Sequence, residues 1–306
     1  MRGWITEPGA PSGIALRDRP EPTPAGNEVL IHVEAYAVNR GELRLIEDRS
    51  DGWPPGQDVA GTVVESRAGE GPAPGARVVG VADEGGWSER VTVPVHRVAE
   101  LPEEVSFVQA ASLPVAGLTA LRTLRTGGPL LGRRVLVTGA TGGVGSFAVQ
   151  LARAAGATVT ALVSGPDRVD EAAGLGAHAV LTSLSDEAGP FDLVVDGIGG
   201  AVLSDAVRRL APGGQVTAYG SAGRARSEIA FFDFAGAAPG GRLEGFFIYR
   251  TGEETFGADL RVLAEMVAEG RLEARIGLEA DWSETAAAVE ALRERRSTGK
   301  VVLRRS

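Results

Sequence analysis

The chain has 306 residues, a formal charge of −9, 43% hydrophobic residues and no cysteine. That length suits two domains of roughly 150 residues each, and the missing cysteine excludes disulfides, thiolate-bound zinc and cysteine nucleophiles. The acidic balance, with no basic cluster longer than Arg293-Glu294-Arg295-Arg296, argues against nucleic acid as a partner.

No apolar run approaches the ~20 residues of a membrane span, and the start MRGWITEPGAPSG lacks the apolar core of a signal peptide, so cytoplasmic residence is expected. Lys300 is the only lysine among 31 basic residues, an arginine bias that reads as compositional because the arginines are scattered.

From residue 27 to 117 short β-type runs alternate with Gly and Pro: Val29 to Ala35, Val59 to Glu65, Arg77 to Val81 and Trp87 to Val93. Such spacing predicts a mostly antiparallel domain. Ser106 before Phe107, with Gln109 three residues on, has the form of a capping box opening a helix.

Beyond Gly117 the pattern changes. Strands are predicted at Val135 to Thr138, Thr158 to Val163, Ala179 to Leu181, Leu193 to Asp196, Gln215 to Tyr219 and Leu243 to Ile248. Helices are predicted at Leu118 to Arg125, Ser146 to Ala155, Pro166 to Leu175, Ala201 to Leu210 and Ala258 to Glu269. This alternation implies a doubly wound parallel sheet, which binds ligands beyond the carboxyl ends of its strands. At the end, Ser283 to Arg295 reads as an amphipathic helix and Gly299 to Leu303 as a strand that rejoins the N-terminal domain, making that domain discontinuous.

The segment RRVLVTGATGGVGSFAVQLARAAG, Arg134 to Gly156, carries the clearest chemistry. An apolar run, a glycine-rich turn and an apolar-periodic stretch in that order make a pyrophosphate site, because the turn admits the phosphate to the backbone and the helix N-terminus offers free N–H groups. Gly142 and Gly143 remove side chains from the approach, Gly145 allows close helix packing, and Ala140 stands at the first glycine position of the pattern. A tight turn with no ligand is the alternative.

The phrases AYAVNRGEL (35 to 43), PPGQDVAGTVV (54 to 64), ASLPVAGLTAL (111 to 121), VLVTGATGGVGSFAVQLAR (135 to 153), LAPGGQVTAYG (210 to 220) and GKVVL (299 to 303) together resemble the medium-chain dehydrogenase/reductase superfamily, and most of all its zinc-free quinone oxidoreductase and enoyl reductase branch. The resemblance implies an α/β fold: a Rossmann doubly wound parallel sheet at 118–252, and a discontinuous GroES-like, mostly antiparallel β domain at 1–117 and 253–306. It also implies cofactor and substrate in a cleft between the domains, and frequent homodimerisation. Zinc-dependent relatives place cysteine, histidine and glutamate where this chain has Asn39, Gln57 and Asp58, so a Lewis-acid mechanism is not expected.

Ser164 at the end of the second strand and Arg168 four residues on suit a 2′-phosphate, which favours NADPH. The alternative makes Ser164 a helix cap and Arg168 a solvated residue. Where zinc-free relatives add a tyrosine, this chain has Ser183. The candidate cofactor contacts are Ala140, Thr141, Gly142, Gly143, Val144, Gly145, Ser164, Arg168, Ser183, Tyr219, Phe246 and Lys300.

Without a metal, hydrogen bonds must polarise the substrate oxygen, which suits a quinone or an activated C=C of an enone, enal or enoyl substrate. Asn39, Arg40 and Tyr36 are the candidate catalytic residues; Asn39 has a turn-forming role and Tyr36 a packing role as alternatives. Trp53, Asp58, Phe232 and Phe247 are candidate substrate-pocket residues, with a structural ion pair as the alternative for Asp58. His32, His96 and His178 show no paired spacing and are not expected to catalyse. Two further readings keep the scaffold: a non-redox biosynthetic enzyme such as a cyclase, and a non-catalytic NADPH-binding protein.

Overall fold

Strand β1 (Arg2–Thr6) pairs antiparallel with β2 (Ile14–Asp18) in a small hairpin at the start of the chain. There follow β3 (Glu28–Val38), α1 (Arg40–Asp48), β4 (Asp58–Ser66), β5 (Arg77–Val81), β6 (Arg90–Pro94), β7 (Val98–Glu100), α2 (Phe107–Ala111) and α3 (Pro114–Thr126). The middle of the chain contains β8 (Arg134–Thr138), α4 (Gly143–Ala154), β9 (Thr158–Leu162), α5 (Val169–Gly174), β10 (Ala179–Leu181), β11 (Phe191–Asp196), α6 (Gly200–Val207), β12 (Leu210–Ala218), α7 (Phe231–Ala235) and β13 (Arg242–Gly245). Last come α8 (Phe256–Ala268), β14 (Ile276–Asp281), α9 (Thr285–Arg293) and β15 (Lys300–Arg304). This is a computed structural model, and it describes residues 1–66, 71–185, 188–235 and 238–305.

The chain divides into two compact units, Met1–Leu118 with Gly252–Ser306, and Thr119–Thr251. In the first unit seven strands run in the order β14-β15-β3-β4-β5-β7, with β6 also paired to β3. All pairs are antiparallel except β14 with β15. The closing strand β15 lies beside β3, Val301 opposite Val38 and Leu303 opposite Tyr36, so the C-terminal segment completes the N-terminal sheet. Its core is built from alternate strand residues such as Val29, Ile31, Val33, Val59 and Val78, with Trp87 and Val289 of α9.

In the second unit six strands run in the order β10-β9-β8-β11-β12-β13, all parallel. Val135, Leu136 and Val137 of β8 are fully buried, as a central strand covered on both faces requires. The chain leaves β8 in one direction toward β9 and β10 and in the other toward β11, β12 and β13, so a switch point lies between β8 and β11.

Several boundaries differ from expectation. Helix α1 and the β1–β2 hairpin lie outside the predicted elements, although Asn39 with Glu42 three residues on has the form of a helix start. The helix predicted through Leu210 stops at Val207, because Leu210 already pairs with Phe191 in the sheet. The strand predicted to reach Ile248 ends at Gly245, and Ile248–Arg250 turns as a 3-10 helix. The capping box at Ser106 is present, Gln109 N–H donating to Ser106 Oγ at 3.2 Å and Ser106 N–H to Gln109 Oε1 at 3.0 Å.

The glycine turn owes its shape to two positions. Gly139 has φ +60°, a conformation costly to a residue with a Cβ, so it and not Ala140 makes the sharp bend after β8. A Cβ on Gly145 would stand 2.2 Å from Gly139 O, so α4 seats against the strand end only because that carbon is absent. Gly145→Ala should therefore lower stability by about 2 kcal/mol or more, read as a fall in urea midpoint, whereas alanine at exposed Gly174 of α5, where a Cβ meets nothing within 4 Å, should leave the midpoint unchanged or raise it.

Candidate active site

The parallel sheet gathers one set of candidate residues at its carboxyl edge. Ala140 to Gly145 follow β8, Ser164 follows β9, Ser183 follows β10, Tyr219 follows β12 and Phe246 follows β13. The ends of β8 and β11 are tied together there: Thr138 Oγ1 donates to buried Asp196 Oδ1 at 2.6 Å, and Gly197 N–H donates to Thr138 Oγ1 at 3.2 Å. Gly199 N–H donates to Asp196 Oδ2 at 2.9 Å, which fixes the turn leading into α6.

Helix α4 begins at Gly142 with no side-chain cap. Its first-turn N–H groups have no acceptor within the helix, and exposed Gly142 leaves them open to an anion. The turn thus fits a dinucleotide pyrophosphate by its bare backbone and its polarity.

At the adenosine end, Ser164 is exposed and does not cap the turn that follows, since Gly165 holds the cap position. Arg168 is half-buried between acids of its own segment, its Nε donating to Asp167 Oδ2 at 3.0 Å and its Nη1 lying 4.0 Å from Glu171 Oε2. Ser183 is exposed beyond β10, the strand paired with β9. Tyr219 N–H donates to Asp196 O at 2.8 Å, and its ring lies over Gly197, where a Cβ would come within 2.3 Å of the phenol oxygen. Burial, and secondarily the Asp196 carboxylate, push that phenol above its ordinary range. Phe246 is buried while Phe247 is exposed. Phe232, on α7, is exposed and packs edge to face on Phe231 at 5.4 Å.

The first unit holds a second constellation. Asn39 ends β3 and opens α1, Asp58 opens β4, and Lys300 opens β15. Lys300 Nζ donates to Asn39 Oδ1 at 2.6 Å and to Asp58 Oδ2 at 2.8 Å, and Asn39 Nδ2 donates to the same Asp58 oxygen at 2.9 Å. Asp58 Oδ1 accepts from Val115 N–H at 2.8 Å. Glu42 adds a second buried carboxylate, its oxygens accepting from Asn39 N–H at 2.7 Å and Gln57 N–H at 2.9 Å. Burial first, and the Asp58 charge second, push the Glu42 carboxyl up to about 8. The Asn-x-x-Glu spacing is the sequence signal that could have identified it.

The surroundings of four further candidates bear on the roles expected of them. Tyr36 is fully buried, stacked on Trp87 at 6.0 Å with its hydroxyl 2.6 Å from Thr285 Oγ1, and burial raises its pKa, so it is a core residue and no proton donor to a ligand. Trp53 is held in place by its own bonds, its Nε1 donating to Glu84 Oε2 at 2.7 Å and its backbone N–H to Thr6 Oγ1 at 2.9 Å. Asp58 is buried completely against Lys300 and is a structural acid, its partner a lysine. Lys300, expected on the cofactor, is 3% exposed and spent on Asn39 and Asp58. Arg40, by contrast, is exposed at the first turn of α1.

Residues 25–103 match the model of the alcohol dehydrogenase GroES-like domain, and residues 143–265 that of the zinc-binding dehydrogenase. The chain is 38% identical over 190 residues to a chloroplast envelope quinone oxidoreductase homolog of Arabidopsis thaliana, 56% of this chain. It is 36% identical over 203 residues to the trans-enoyl reductase tndF of Aspergillus flavipes, 58% of this chain. It spans 57% of the length of each of these two relatives. The quinone oxidoreductase of Thermus thermophilus, solved alone and with NADPH, superposes with a TM-score of 0.85 at 29% identity, over 99% of this chain and all of that one.

The chain belongs to the medium-chain dehydrogenase/reductase superfamily, in its quinone oxidoreductase and enoyl reductase branch. The antiparallel sheet is its GroES-like domain, the parallel sheet its Rossmann domain, and no helix among the described residues is long and apolar enough to cross a membrane.

Within this member of the superfamily, the raised pKa of Glu42 has a consequence for stability. The folded state holds the Glu42 proton up to about pH 8, whereas the unfolded chain releases it near 4.5. The folded state binds more protons across that window, so this residue's contribution to stability falls as pH rises from about 4.5 to 8. Urea unfolding of Glu42→Gln, which cannot ionise, should show a flatter pH dependence than wild type across this window, even though the lost N–H acceptor lowers its stability throughout.

Proposed function

We propose that the protein is an NADPH-dependent oxidoreductase that reduces a quinone or an activated C=C and works without zinc. The observation that carries this reading is the carboxyl edge of the parallel sheet, which the bare glycine turn after β8 shares with Ser164 and Ser183, the residues that follow β9 and β10. The Thermus neighbour, solved with NADPH, supports the same cofactor.

The donor set at Asn39, Gln57 and Asp58 does not suit zinc. The ammonium of Lys300 already lies between the side-chain oxygens of Asn39 and Asp58, so a divalent ion there would meet a fixed positive charge. An amide, a second amide and one paired carboxylate also form a weak ligand set for that metal.

When bound, NADPH supplies a hydride from C4 of its nicotinamide. The chain's own groups then have three tasks. The α4 N-terminus and the turn from Ala140 to Gly145 hold the pyrophosphate, while Ser164 and Arg168 hold the 2′-phosphate once Arg168 exchanges Asp167 for it. Tyr219 and Phe246 line the nicotinamide half of the edge, with exposed Phe232 and Phe247 offering apolar surface to a flat or acyl substrate. Asn39 donates to the substrate oxygen that gains charge, and water provides the final proton.

The reading includes a cytoplasmic homodimer. All four residues of β13 are exposed, and across a two-fold axis through Leu243 an antiparallel copy would set Arg242 opposite Glu244 twice. Light scattering should give twice the chain mass, and Leu243→Lys should reduce it to one.

Stopped assays of NADPH oxidation with quinones, enones, enals and enoyl thioesters, with product masses, test the activity. NADPH should bind more tightly than NADH, and Arg168→Ala should lose that preference by about tenfold. Tighter binding of NADH, or no turnover with any acceptor, would overturn the assignment.

A further inference from the structure

The phenol of Tyr219 reaches from the end of one strand to the end of the next. In the parallel sheet β11 lies between β8 and β12, with Asp196 opposite Ala218. Tyr219 follows β12, yet its ring covers Gly197, which follows β11: a Cβ on that glycine would stand 2.3 Å from the phenol oxygen and 2.4 Å from Cζ. The hydroxyl is thereby carried one strand toward the switch point between β8 and β11, where a doubly wound sheet opens its crevice for a ligand. Gly197 does not have the positive φ of its neighbours Gly199 and Gly200, so what its missing side chain supplies is the space for this ring.

A phenol with its ring packed away usually finds a partner for its O–H, as Tyr36 does with Thr285 Oγ1 at 2.6 Å. The Tyr219 hydroxyl has none among the described residues. The Asp196 carboxylate, whose charge the phenol feels, is already taken by Thr138 Oγ1 at 2.6 Å and Gly199 N–H at 2.9 Å. Burial first and that charge second hold the phenol's pKa above its ordinary range, so it keeps its proton at neutral pH and remains a donor. Tyr219 is half-buried and Gly220 beside it is exposed, so this donor lies at the open carboxyl edge and not inside the core.

We propose that Tyr219 is a cofactor-binding residue whose hydroxyl donates a hydrogen bond to the ribose–phosphate oxygens of the nicotinamide nucleotide. The role rests on the reading of the parallel-sheet domain as an NADPH site, and it draws on residues of that domain alone. Ser164 and Ser183 follow β9 and β10, on one side of the glycine turn; the half of a dinucleotide that continues past the turn falls on the other side, at β11 and β12. Phosphate and ribose oxygens accept from a neutral O–H. A phenylalanine would cover Gly197 equally well and offer nothing to them.

The test follows from that difference. Tyr219→Phe removes the oxygen and keeps the ring, and because no protein group loses a partner, the free variant should melt at the wild-type temperature. Calorimetric titration with three ligands then places the bond. Tyr219→Phe should weaken NADP+ and 2′-phospho-ADP-ribose by the same factor, about fivefold or more, and leave 2′,5′-ADP, which lacks the second nucleotide, unchanged. A second measurement needs no variant: with 13Cζ-tyrosine in the wild type, one of the three tyrosine resonances should move on adding 2′-phospho-ADP-ribose and stay in place with 2′,5′-ADP. Equal binding by Tyr219→Phe and wild type, a loss shared by 2′,5′-ADP, a loss confined to NADP+, or tyrosine resonances blind to 2′-phospho-ADP-ribose would overturn the role alone. A wild type that binds none of the three ligands would overturn the cofactor reading and this role together.

Discussion

The ion pair between Lys300 and Asp58 is the contact on which the first domain's closure depends. It joins two strands brought together from opposite ends of the chain, and Asn39 at the end of β3 adds a third. Taking an ammonium and a carboxylate out of water costs several kcal/mol per ion, which is recovered only when their hydrogen bonds are satisfied. Asp58 meets that condition with Lys300, Asn39 and Val115 as donors. Parting Lys300 from Asp58 within the sheet would leave a buried charge without its partner, so the pair favours the observed register of β15.

The same cluster sets the orientation of a side chain. Lys300 Nζ lies between Asn39 Oδ1 and Asp58 Oδ2, so the Asn39 amide turns its oxygen to the lysine and its nitrogen to the carboxylate. Glu42 extends the cluster into α1 by accepting N–H groups from Asn39 and Gln57, so the loop from Pro54 to Gln57 is fixed to the start of the helix.

In the Rossmann domain the governing constraint is space. The β8 turn works because Gly139 takes a left-handed bend and Gly145 lacks the carbon that would strike Gly139 O. The Thr138–Asp196 bond then locks the two strand ends on either side of the switch point. Ser164 and Ser183 reach the same edge because parallel strands all end on one side of the sheet, however far apart they are in sequence.

By itself the sequence determined the class of both domains, the glycine turn, the return of the last strand to the first domain and the set of loops at the carboxyl edge. These rest on local signals: periodicity, turn residues, and a strand–turn–helix order read within about thirty residues. Tertiary structure alone decided what Tyr36, Trp53, Asp58 and Lys300 do. Tyr36 and Trp53 look like cleft aromatics in a linear reading, yet the partners that bury them are Trp87 and Thr285 in one case and Thr6 and Glu84 in the other. Lys300 lies 242 residues from Asp58 and 261 from Asn39. No periodicity spans such a separation, because side-chain pairing at that distance is set by the register of folded strands and the cost of burying charge, which exist only once the sheet has closed.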